Sequence, residues 1–256
     1  MKLNTQQNTA VKNLLYKMAD DLLILGHRNS EWTGLGPILE EDIAFSSMAQ
    51  DKIGQAQALY AILHQLGEND PDTIAFTRDE KDYKCCQLVE YPIGEYDFSL
   101  MRHFLFDHSN WLRFDMLVNS NFEPLAQVAR KFRGEIKYHV MHADTWIEKL
   151  ATGNEESKAR MQTALNECFH LALGIFEQGK EEETLKSSKI FEGEVELQKL
   201  WFERISTLLT KAGLQLPEEK DWKPALGGRF GYHTEHLQPL LNEMTEVFRI
   251  DPGAEW

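Results

Sequence analysis

Apolar residues recur every three to four positions along most of the chain, the spacing of helices that bury one face. Leu14, Leu15, Met18, Leu22 and Leu25 draw such a stripe and predict a first helix over residues 10–26, with Gly26 as its stop. Pro37, followed by Glu40, Glu41 and Asp42, marks a second start. Proline suits a first helical turn, and the acids suit the positive end of the helix dipole. This second helix runs to residue 66, before Gly67, and is on the order of 40 Å long at 1.5 Å per residue. Residues 67–94 hold Pro71 and Pro92 and are too many for a simple turn; they are expected to pack over the helices.

A third helix is predicted over 95–118 and a fourth over 124–150, and the short link between them makes the two antiparallel neighbours. Gly153 and Asn154 close one helix and cap a fifth, which reaches 177. A sixth covers 190–211, and a last one spans 234–248 after a loop with Pro217, Pro224 and Gly227-Gly228. Strand-like alternation is scarcely found. The fold class expected is all-α: one domain over 1–256, with an antiparallel four-helix bundle over about 10–150 and additional C-terminal helices over about 154–248. The charge run 180–183 reads as a solvated helix end or loop, and the tail 251–256 as either free or docked.

The formal charge of −14, from 27 basic and 41 acidic residues, argues against nucleic acid or an anionic membrane as partner. No apolar run approaches the length of a bilayer span. Three cysteines, two of them adjacent at Cys85 and Cys86, make no disulfide framework, so a reduced, cytoplasmic protein is expected.

Long helical bundles include carboxylate di-metal proteins, which take one Glu from each of two helices and Glu-x-x-His from each of two others. Among nine histidines only His170 has an acidic residue three positions earlier, Glu167, so the ligand set is incomplete. Glu135, His139 and His142 share one helix face. A Glu-x-x-His register from Glu135 meets Tyr138, and one from Asp51 meets Gly54; neither residue offers an imidazole. Asp20, Asp21, Asp51 and Asp107 sit in apolar helices, where burial demands partners. Lys52, Arg102, Arg113 and the histidines are available as such, and an interior ion-pair network would fill a space that metals fill elsewhere. Neither a nucleotide-binding glycine pattern after a strand nor a nucleophile elbow occurs.

Seven segments in order carry a resemblance: LGHRNSEW (25–32), PILEEDIA (37–44), DKIGQA (51–56), AFTRDE (75–80), LVEYP (88–92), EIKYH (135–139) and GYHTEHL (231–237). Together, over nearly the whole chain, they resemble the C subunits of bacterial phenylacetyl-CoA epoxidases. The resemblance implies a ferritin-like fold. It also implies that epoxidation occurs at a di-iron centre in a homologous A subunit, which the C subunit pairs with and supports, having itself lost the iron ligands. Electrons would come from NADPH through the flavin and iron–sulfur cluster of a reductase subunit.

No catalytic residue, metal or cofactor is carried over to this chain. Asp21, Asp51, Asp107, Glu135 and His139 are expected to form the polar interior left at the vestigial site. Arg28, Glu31, Trp32, His233, Glu235 and His236 are expected at a partner interface, with a structural loop or helix cap as the alternative. The other epoxidase subunits are further expected partners, and the isolated chain is open to self-pairing as a homodimer. The competing reading is a ferritin-like metalloenzyme with its own non-standard iron or manganese site around Glu135, His139 and His142.

Overall fold

A computed structural model describes residues 3–251. Trp256 and the tail beyond Asp251 lie outside the described residues. Within them the chain is all-α and takes the ferritin-like arrangement, with four long helices at its centre: α1 (Thr5–Ser30), α2 (Leu39–Gln65), α5 (Tyr96–Leu117) and α6 (Glu123–Ala151). Between the pairs lie the short helices α3 (Pro71–Phe76) and α4 (Gln87–Glu90), which fold residues 67–94 over the bundle. After it come α7 (Glu155–Leu173), α8 (Glu182–Ser187), α9 (Glu194–Lys211) and α10 (Leu237–Ile250). No helix of the described residues is long and apolar enough to cross a membrane.

The termini of the elements show why they differ from the periodicity. Helix α1 starts before its apolar stripe because Asn4 and Gln7 form a reciprocal cap, each side chain bonding the other's backbone N–H at 2.9 and 3.0 Å. It passes through Gly26 instead of stopping there. A Cβ at Gly26 would lie 2.9 Å from Ile53 Cγ1 and 3.3 Å from the Ala49 carbonyl oxygen, so this glycine lets α1 and α2 approach. In the run 180–183, Lys180 and Glu183 are exposed in a turn and first helical turn as expected, but Glu182 is buried, and its carboxylate accepts from the N–H of Glu194 at the start of α9. That contact moves the start of α9 four residues past the predicted one.

Helix α1 packs along α2 and α5 along α6, while α2 meets α6 across the bundle. Helices α7 and α9 cover the remaining sides of α5, whose residues 99–110 are buried without a break. The loop before α10 closes the molecule. Arg229 donates to both oxygens of Asp21 at 2.7 and 2.8 Å, and to the carbonyls of Lys84 and Ile175 at 2.7 and 3.0 Å. Asp21 also accepts from the Cys86 N–H at 2.7 Å. Gly231 has φ +82°, and a Cβ there would meet the Lys81 carbonyl at 2.3 Å, so the loop register needs glycine.

Because Asp21 and Arg229 are both buried, Arg229→Met should cost roughly 3–5 kcal/mol by leaving a lone buried carboxylate. The double change Arg229→Met with Asp21→Asn should recover part of that loss. Urea unfolding of the three proteins checks both expectations.

Candidate functional site

The polar heart of the bundle lies between α2, α5 and α6. Helix α5 contributes His103 and Asp107, one turn apart; α6 contributes His139 and His142; α2 contributes Glu41, Asp51 and Lys52. Lys52 Nζ lies 2.5 Å from Asp107 Oδ1, and both side chains are fully buried. His103 Nδ1 lies 2.5 Å from Asp107 Oδ2, off the line of a well-formed hydrogen bond. His139 Nε2 faces Asp51 at 3.0 Å, and its Nδ1 lies 3.7 Å from Asp107, too far to bond. His142 Nδ1 meets His103 Nε2 at 3.3 Å, and His142 Nε2 meets both oxygens of Glu41 at 3.0 Å. Tyr96 donates to Glu41 at 2.5 Å, and Trp32 packs edge-on against Tyr96 with ring centroids 5.8 Å apart. Together with Phe45, these aromatic rings seal the Glu41 end.

Electrostatics follow from burial and pairing. Burial pushes His103 down to about 4, against the pull of Asp107. Burial would raise the Asp107 carboxyl, but Lys52 and then His103 outweigh it and hold it well below the usual range. Glu41 is likewise held low, because hydrogen bonds from His142 and Tyr96 overcome its burial.

This arrangement does not fit a di-metal centre. The Lys52 ammonium supplies the positive charge that neutralises Asp107. The α1 carboxylates are engaged elsewhere, Asp20 by Arg78 and Asp21 by Arg229. Among the described residues, the donor atoms of this cluster do not gather closely enough to hold one ion.

Of the residues expected at a vestigial site, Asp51, Asp107 and His139 do come together. Two corrections follow. Asp21 is not part of the cluster: it pairs with Arg229. Glu135 is half-buried on α6, one turn before His139, and among the described residues its side chain enters no hydrogen bond or ion pair. Tyr138 is half exposed, and a Cβ at Gly54 would meet nothing within 4 Å, so neither register position faces the cluster. Glu167 and His170 are both exposed.

The residues expected at a partner interface divide. Arg28, Trp32 and the His233 side chain are buried, so they hold the fold: Arg28 donates to the Glu90 carbonyl at 3.0 and 2.6 Å and to that of His236 at 3.2 Å. Glu235 is exposed, with Glu31 and His236 partly so. Sequence reasoning missed Glu41 and His103 as members of the cluster. The i, i+4 spacing of His103 and Asp107 was the available signal.

The sequence pattern of the phenylacetic acid catabolic proteins matches residues 1–256. The chain belongs to that family. It is 32% identical over 241 residues to the C subunit of 1,2-phenylacetyl-CoA epoxidase from Escherichia coli (strain K12), covering 94% of this chain and 96% of that one. In this phenylacetic acid catabolic protein, then, the ferritin-like interior is filled by a lysine–aspartate–histidine network.

That network sets the acid stability. With His103 held at about 4 in the folded protein, against about 6.5 when unfolded, its contribution is complete above pH 6.5 and is lost as pH falls toward 4. Burial lowers His27 and His108 in the same direction. Asp107, held low, adds a loss below about pH 4. Thermal unfolding from pH 8 to 3 should therefore show a plateau, then a decline starting near 6.5 that shrinks in His103→Gln. Lys52→Met should cost roughly 3–5 kcal/mol at pH 7, partly recovered by adding Asp107→Asn.

Proposed function

We propose that this chain is the non-catalytic structural subunit of a multicomponent phenylacetyl-CoA 1,2-epoxidase, pairing with and supporting a homologous di-iron A subunit. One observation carries the reading: the donor residues at the bundle's heart are committed to Lys52 and to one another. The likeness to the E. coli protein supports it. In this reading the chain works in the cytoplasm within a hetero-oligomer and contributes no cofactor to the oxidation. The di-iron centre resides in the A subunit; flavin, the iron–sulfur cluster and NADPH belong to the reductase. Exposed apolar side chains on α2 and α6, among them Leu39, Ile43, Tyr138 and Met141, are available for contact with another subunit.

Co-expression with the A subunit should raise that subunit's yield or activity and give a complex that survives gel filtration. No effect on yield, activity or elution overturns the proposal. The isolated chain, from cells grown in metal-replete medium, should hold far less than one equivalent of iron or manganese. Stoichiometric iron or manganese that is lost on His139→Ala would instead make the chain a metalloenzyme in its own right.

A further inference from the structure

Outside that cluster, the loop before α10 meets residues 83–90. Here, among the described residues, the donor atoms of Cys85, Glu90 and His233 all lie within 4.8 Å of one another. Cys85 Sγ is 3.7 Å from Glu90 Oε1 and 3.9 Å from His233 Nδ1, and that nitrogen is 2.7 Å from Glu90 Oε1. All three side chains are buried.

Two of the three donors, His233 and Glu90, are aimed by a second contact. His233 Nε2 lies 3.1 Å from the Tyr83 carbonyl, which can only accept, so this nitrogen carries a proton. In a neutral ring the Nδ1 lone pair therefore points into the trio. Glu90 Oε2 accepts from the N–H and the hydroxyl of Thr234, both at 2.7 Å, which leaves Oε1 for the trio. The Glu90 backbone is held in turn by Arg28. Outer contacts of this kind on both imidazole and carboxylate are what orient metal ligands. Without an ion, the 2.7 Å contact between Nδ1 and Oε1 needs a proton between two groups far from water.

We propose that Cys85, Glu90 and His233 form a zinc-binding site. A thiolate, a carboxylate and a neutral imidazole carry two negative charges, so one divalent zinc leaves the buried site neutral. A soft sulfur with a nitrogen ligand selects zinc over magnesium or calcium. Zinc bonds of about 2.0–2.3 Å place tetrahedral neighbours about 3.3–3.6 Å apart. The two sulfur distances are within a few tenths of an ångström of that range. The nitrogen–oxygen pair must open by about 0.6 Å to reach it. Three protein ligands leave the fourth position to water. Binding releases two protons, one from the Cys85 thiol and one shared by Glu90 and His233. Burial pushes the Cys85 thiol up, and a bound cation reverses that. The ion would fasten residues 83–90 to a loop 148 positions further along the chain.

The test uses the full chain stripped with a chelator, then titrated with cobalt(II) and zinc(II) in weak buffer. One equivalent of cobalt should give a near-ultraviolet thiolate-to-metal absorption that zinc abolishes, and zinc should release two protons and raise Tm. Cys85→Ser keeps the Glu90–His233 pair and so preserves the fold; it should remove the absorption and weaken zinc by about tenfold or more. Cys168→Ser and His139→Ala should leave both unchanged. Absence of a cobalt band and of zinc binding in the wild-type chain overturns the proposal. So does binding that is unaffected by Cys85→Ser, or that is abolished by His139→Ala. None of these outcomes bears on the structural role in the epoxidase, which is read from iron, manganese and complex formation.

Discussion

Helix α5 is buried without a break over residues 99–110 and still carries charge, and the rest of the structure is arranged around that constraint. A buried charge without a partner is costly, so each must be met by a neighbouring element. Arg102 is met by the carbonyls of Tyr91 and Pro92. Asp107 is met by Lys52 of α2, and Arg113 by Glu194 of α9. His108 stays neutral, giving a hydrogen bond to Asp144 and taking one from Arg204. Helices α2, α6 and α9 are thereby fixed in register against α5 by polar contacts, with the apolar core filling the space between.

The same constraint decides what the interior can do. Carboxylates and imidazoles face inward from three helices, the raw material of a metal centre, but each is already held. Lys52 neutralises Asp107, and His142 bridges His103 to Glu41. Trp32, Phe45 and Tyr96 close the Glu41 end with aromatic surface. The interior is held together by ion pairs and hydrogen bonds, which suits the proposed task of offering a stable surface to a catalytic partner.

Much of this was legible in the sequence. The four long helices follow from apolar stripes and caps, and the incomplete Glu-x-x-His count was visible at once. Long-range pairing was not legible. Asp21 and Asp107 look alike as acids in apolar helices, yet one pairs with Arg229 and the other with Lys52, because the side of the bundle a helix presents is set by tertiary packing. Gly26 looked like a stop and proved to be a contact point between α1 and α2. Arg28, Trp32 and His233 lie in recurring motifs that read equally as interface or scaffold; only their burial places them in the scaffold.

The loop at residues 227–236 has a consequence for how the protein is made. Asp21 and Arg28 leave the ribosome within the first tenth or so of synthesis. The side chain that neutralises Asp21, and the histidine that faces Glu90, arrive only with Arg229 and His233. Until then the first helix carries a buried acid whose ion-pair partner has not yet been made, and closing the bundle around it costs roughly 3–5 kcal/mol. Folding of the amino-terminal half is tied to completion of the carboxyl-terminal end, a long-range dependence of the sort that slows folding.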